Sequence, residues 1–247
     1  MKKLPILFMV LVLPFAGIAQ KLRIAVAANA QFVARVLAQQ FKSESGIDAE
    51  LIVSSSGKLT AQIAQGAPFD VFLSADMKYP QELYDKNLTT AKPKVYAYGK
   101  LVIWARKGVD IKHGIKNLNN IMVDKIAIAN AILAPYGEAA EQAMKNSYLY
   151  NQLRPKLVYG ESIAQVNQYL LSGVVDAAFT AKSVVLDPAQ KKNQNWVEVN
   201  PQLYQPIAQG VVLLKASTGE NLVAANKFYK FIFTPNAKRI LKNYGYR

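Results

Sequence analysis

Six short apolar runs, each ending in a small or polar turn that opens a helix-like segment, limit what this chain can become. They are Leu22 to Ala27, Leu51 to Ser54, Asp70 to Ser74, Lys125 to Ala129, Lys156 to Tyr159 and Asp176 to Thr180. The first is followed by Gln31 to Glu44, where Phe32, Val33, Val36, Leu37 and Phe41 repeat at helical spacing. The second leads into Lys58 to Gln65, with Leu59, Ile63 and Ala64 on one face and Gly66-Ala67-Pro68 as a stop signal. Strand, turn and helix in this rhythm predict an α/β fold built on doubly wound sheets.

The rhythm breaks twice. Residues 92–100 form a connector rich in Lys, Pro and Tyr, and the chain is irregular again near 200–210. Two α/β units joined by two such passages predict two lobes, with residues 20–98 plus 201–247 in one and 99–200 in the other. A long apolar strand, Gly210 to Leu214, and two closing helices, Asn221 to Phe233 and Pro235 to Tyr244, belong to the first. With 247 residues, the chain is long enough for two lobes of ordinary domain size.

The amino-terminal end predicts export. Met1-Lys2-Lys3 is basic, Leu4 to Phe15 is apolar, and Gly17-Ile18-Ala19 offers small residues ahead of a cleavage point before Gln20. The reading is a signal peptide over 1–19 and a periplasmic mature protein. The absence of cysteine means that no disulfide is needed there and no lipid anchor is attached at that point.

Net charge is +14, and +12 once Lys2 and Lys3 are removed (28 basic against 16 acidic residues). Basic residues never run longer than two and aromatic residues do not alternate with arginine, so the pattern is not that of a nucleic-acid platform. A diffuse positive field of this kind attracts small anions.

The chemistry points the same way. The one histidine, His113, sits in a loop flanked by Lys and Gly, and with no cysteine the usual zinc ligand sets and nucleophile–base pairs are missing. Asp70, Asp76, Glu138 and Glu161 read as capping or structural carboxylates, with Asp76 at the cap of a helix from Met77 to Tyr84. Ser54-Ser55-Ser56-Gly57, by contrast, lies where a strand turns into a helix. Free N–H groups, the helix dipole and serine hydroxyls make such a place a receiver of anions. Ala28-Asn29, Tyr136-Gly137 and Ser162-Ile163 occupy equivalent turns. In open α/β sheets ligands bind at the carboxyl ends of strands, so two facing lobes would gather all four turns about one small anion.

These stretches also carry a resemblance. Ala27-Ala28-Asn29, Ser55-Ser56-Gly57-Lys58-Leu59, Gly66-Ala67-Pro68, Ser74-Ala75-Asp76, Tyr98-Gly99-Lys100-Leu101-Val102, Ala134-Pro135-Tyr136-Gly137, Gln209-Gly210-Val211-Val212-Leu213 and Tyr244-Gly245-Tyr246 are similar to the periplasmic molybdate-binding proteins of ABC transporters. The resemblance implies a two-lobed type II periplasmic binding protein with two crossover strands as its hinge. It implies a receptor and not an enzyme, a tetrahedral molybdate or tungstate as ligand with no cofactor, a membrane permease as partner, no nucleic acid, and a monomer. By position it places Asn29, Ser56, Tyr136 and Ile163 around the anion. Thr180 falls where some members have a contacting tyrosine, a difference for which the Tyr136 hydroxyl is the alternative. Sulfate, phosphate or ferric iron are rival ligands, an exported hydrolase and a polyanion binder rival functions.

Overall fold

A computed structural model describes residues 21–192 and 194–247. The expected signal peptide, 1–19, lies outside the described residues. In chain order the first part comprises β1 (Leu22–Ala27), α1 (Gln31–Ser45), β2 (Ala49–Ser54), α2 (Ser56–Ala64), β3 (Val71–Leu73), α3 (Lys78–Asp85) and β4 (Lys94–Gly99). Next come β5 (Leu101–Ala105), β6 (Ile126–Ala129), α4 (Pro135–Asn146), α5 (Tyr150–Leu153), β7 (Leu157–Gly160), α6 (Ile163–Leu171), β8 (Ala177–Ala181), α7 (Lys182–Val185) and β9 (Trp196–Glu198). The chain ends with β10 (Ile207–Leu213), α8 (Gly219–Phe231) and α9 (Pro235–Asn243).

Among the described residues ten strands form two five-stranded sheets, in the orders β2-β1-β3-β10-β4 and β7-β6-β8-β5-β9. Each is mixed. β1 runs parallel to β2 and β3, and β6 parallel to β7 and β8, while β10 and β5 run antiparallel to their neighbours. Helices on both faces explain why β5 and β6 are buried at every position and read as unbroken apolar runs. The chain passes between sheets twice, from β4 to β5 through Lys100 and from β9 back to β10. This is the two-lobed α/β architecture the sequence predicts.

Local rules account for most of the elements. α1 buries Val33, Ala34, Leu37 and Phe41 and ends on Gly46, whose φ of 73° is the left-handed cap that glycine supplies at least cost. Phe41 meets Phe228 and Phe231 of α8 at 5.2 and 5.5 Å between ring centres, which joins the carboxyl-terminal helices to the first lobe. The connector over 92–100 turns out to contain β4, an edge strand. Its residue-by-residue alternation is broken by a bulge, where Ala97 faces Gln209 and Val95 faces Gly210, leaving Tyr96 between them. The last residue seals that edge: the Tyr98 N–H donates to the Arg247 carbonyl at 2.7 Å, and the Arg247 N–H to the Tyr98 carbonyl at 3.0 Å.

Candidate functional site

Four helix starts meet where the lobes face each other. A single short 3-10 turn, Ala28–Ala30, carries β1 into α1, and Ser55 carries β2 into α2. On the opposite lobe Ala134 precedes α4, with Pro135 at its first position, and Ser162 precedes α6. A small cavity between them is walled by Ala27, Ala28, Asn29, Ser55, Ser56 and Ala75 from one lobe. Ala134, Pro135, Tyr136 and Ile163 close it from the other. Two wider clefts, of about 510 and 530 Å³ beside Trp104 and beside Tyr96, hold no such gathering of helix starts.

The walls are neutral and rich in donors. Ser56 is 1% exposed, and its Oγ accepts the Ala75 N–H at 3.0 Å, which leaves its own proton to be given. Ser55 caps α2 by accepting the Lys58 N–H at 3.4 Å, so its hydroxyl proton is also uncommitted there. The N–H groups of Ser56, Tyr136 and Ile163 lie in first turns, where no intrahelical carbonyl is in reach. Among the described residues no charged side chain lines the cavity. Such a site can hold a small anion by hydrogen bonds and helix dipoles alone.

Two expected contributors have other commitments. The Thr180 hydroxyl, buried in β8, donates to Asn167 Oδ1 at 2.6 Å, and Thr180 is not among the residues lining the cavity. Asn29 does line it, but both side-chain N–H groups are engaged: Nδ2 donates to Gln209 Oε1 at 2.8 Å and to Tyr246 Oη at 3.1 Å. What Asn29 offers the cavity is therefore its main chain at the start of α1. The Tyr136 hydroxyl, the alternative to Thr180, reaches past the cavity to the hinge, so close to Gly99 that a Cβ there would overlap it. Burial pushes that phenol well above its usual range, with neighbouring tyrosines adding to the effect and the Asn29 amide opposing it.

At the mouth of the cavity, bonds from α2 and α3 clasp the second lobe. The Gly57 N–H donates to the Leu133 carbonyl at 2.9 Å, the Tyr79 hydroxyl donates to the Ile132 carbonyl, and Lys58 Nζ lies 2.5 Å from Glu161 Oε2. Glu161 thus reaches across the cleft, and Ser162 makes the cap of α6 by accepting the Gln165 N–H. Residue size matters at Gly57: a Cβ would come within 2.8 Å of Tyr79 Oη and 3.1 Å of Leu133.

Asp76 caps α3 as expected. Its Oδ1 accepts from the Tyr79 N–H at 3.3 Å and the Ser74 hydroxyl at 3.0 Å, just ahead of the first helical residue, Lys78. Burial pushes the Asp76 carboxyl up to about 6 against these bonds, and Glu138 of the other lobe adds to the rise. Among the described residues no group of three His, Asp or Glu side chains is placed to hold a metal ion. His113 is exposed in its loop, as expected. No helix of the described residues is long and apolar enough to cross a membrane.

Comparison with known proteins identifies the family. A family described as bacterial extracellular solute-binding protein matches residues 22–247. A molybdate-binding protein ModA of Rhodobacter capsulatus is 37% identical over 243 residues, covering 97% of this chain and 92% of that protein. Another from Azotobacter vinelandii is 34% identical over 232 residues, covering 94% and 91%. Among solved structures, an Azotobacter vinelandii periplasmic molybdate-binding protein superposes with a TM-score of 0.86 at 32% identity, over 92% of this chain and 99% of that one.

Proposed function

Since the chain belongs to the bacterial extracellular solute-binding proteins, a family of receptors and not of enzymes, we propose that it is the periplasmic receptor of an ABC importer for molybdate or tungstate. The observation that carries this reading is the meeting of four helix starts from two lobes around one cavity with uncharged walls. The relatives named as molybdate-binding proteins, at 34% and 37% identity, support the choice of anion.

In this account a tetrahedral dianion enters between the lobes, drawn by the positive field. The first lobe receives it with the Ser56 hydroxyl and the main-chain N–H groups that open α1 and α2. The second closes on it with the N–H groups of Tyr136 and Ile163. Ser55 is a further hydroxyl donor, and Thr180 stands outside the set because its proton goes to Asn167. The groups assigned to the ligand act as donors, so an oxyanion that keeps a proton, such as hydrogen phosphate, is held less well than a bare dianion. Sulfate carries the same charge as molybdate, and the difference in size decides between them. The closed form is then handed to a membrane permease.

Thermal denaturation with a panel of oxyanions tests this. A ligand bound only by the folded state raises the melting temperature by mass action. Molybdate and tungstate should raise it strongly, sulfate weakly and phosphate not at all. A rise with ferric iron and none with molybdate would overturn the proposal.

A further inference from the structure

Two stretches of the sequence, Gln209-Gly210 and Tyr244-Gly245-Tyr246, lie outside the cavity yet converge behind it. We propose that Gln209 and Tyr246 are positioning residues for the anion site: they fix Asn29 and the Ala75 peptide at the hinge and tie the carboxyl-terminal tail to lobe closure. This inference rests on the receptor reading above.

The carbonyls in the network fix its amide orientations, and the Tyr246 hydroxyl has its shorter contact with Ser183 Oγ, the Asn29 carbonyl being at 3.5 Å. Gln209 is fully buried, and its Nε2 faces two carbonyls, Ala75 at 3.1 Å and Ile207 at 3.4 Å. Carbonyls only accept, so the amide nitrogen must lie on that side and Oε1 must face Asn29. Asn29 Nδ2 therefore donates to Gln209 Oε1, and its second proton goes to Tyr246 Oη. Tyr246 donates in turn to Ser183 Oγ at 3.2 Å, and Ser183 donates to the Asn29 carbonyl at 2.7 Å. Asn29, Tyr246 and Ser183 form a closed ring in which each hydroxyl both accepts and donates. Burial pushes the Tyr246 phenol up to about 12, against its bonds to Ser183 and Asn29, so it keeps the proton that the ring needs.

The ring and the Gln209 bonds reach the chain that opens α1 and, through Ala75, the Ser56 hydroxyl. Asn29 is held at the start of α1. The Ala75 carbonyl is held by Gln209, and the N–H of the same residue holds Ser56 Oγ. Ser183, at the start of α7, brings in the second lobe. The bulge in β4 opposite Gln209 and Gly210 is the kind of feature that re-aims a side chain beside a site. Two buried polar atoms complete the picture. Asn29 Oδ1, an acceptor from one lobe, and Tyr136 Oη, a donor from the other, each have no hydrogen-bond partner.

The test uses the mature protein and its Gln209→Met and Tyr246→Phe variants, which keep side-chain size and remove the bonds. Molybdate and sulfate affinities come from calorimetry, dissociation rates from stopped flow, and melting temperatures from the ligand-free forms. Each variant should bind molybdate about threefold to tenfold more weakly through faster dissociation, the scale of one neutral hydrogen bond. The preference for molybdate over sulfate should fall, which a purely structural role would not cause. Because both act through Asn29, the double variant should lose less than the product of the two single effects. Variants that melt earlier but match the wild type in affinity, dissociation rate and preference would overturn this inference alone. A wild type that binds neither anion would overturn the receptor reading and this inference with it.

Discussion

Replacing Ser56 with Ala separates two roles that its one hydroxyl plays. As an acceptor, Oγ takes the Ala75 N–H at 3.0 Å in a fully buried setting. Its loss leaves that N–H unpartnered, at a cost of about 1–3 kcal/mol in stability. For a chain of this length each kcal/mol lowers the melting temperature by about 2–4 °C. That penalty is present with and without ligand, so it does not enter the dissociation constant. As a donor, the same hydroxyl gives its proton to a dianion, a charge-assisted bond of about 1.5–3 kcal/mol. Affinity for molybdate should therefore fall by about tenfold to a hundredfold. Calorimetry measures the second effect and scanning calorimetry of the ligand-free protein the first. A lower melting temperature with a dissociation constant within about twofold of wild type would refute the donor role and leave Ser56 as a structural acceptor.

Other perturbations act on the clasp and on pH. Gly57→Ala places a Cβ within 2.8 Å of Tyr79 Oη; the lobes relieve this by standing apart, so small-angle scattering with ligand should show a more open molecule, and affinity should fall about tenfold with the ligand-free melting temperature unchanged. Unchanged scattering would remove Gly57 from the clasp. Lys58→Met breaks an ion pair whose side chains are 41% and 63% exposed, so it should weaken binding by at most about fivefold, an effect that disappears in high salt. A loss that persists in high salt would contradict this. Asp76 has a carboxyl raised from 3.8 to about 6 in the folded protein. The folded state then holds more protons than the unfolded one between these values, and Asp76 makes stability fall as pH rises through that window. Asp76→Asn should flatten the fall in denaturant titrations from pH 4 to 6, and an unchanged slope would rule Asp76 out as its source.

How far the sequence reaches depends on the range of the interactions. The helix starts are local events: Ser55 at the cap of α2 and Gly46 at the end of α1 can be read within a few residues. The apolar runs give the strands, and the alternation gives two lobes with their carboxyl ends facing. β4 escaped because its bulge breaks the period of two and its Lys, Pro and Tyr content resembles a linker. Asp76 is equally local, since its Oδ1 accepts the Tyr79 N–H three residues on. Asn29 lies at the cavity as expected, yet its amide protons are taken by residues 180 and 217 positions away. No local pattern shows that commitment. The pairing of Lys58 with Glu161, separated by 103 positions, is equally silent in sequence. For Thr180, strand burial and the nearby Asn167 absorb the hydroxyl.

The most direct test of a cavity walled by neutral donors is titration calorimetry of the protein with molybdate, sulfate and phosphate at neutral pH, in low and high salt. The account predicts one tight molybdate per chain, weaker sulfate, no heat from phosphate, and an affinity for molybdate that changes little with salt because the ligand is buried among dipoles. Phosphate bound as tightly as molybdate, or an affinity that collapses with added salt, would contradict it.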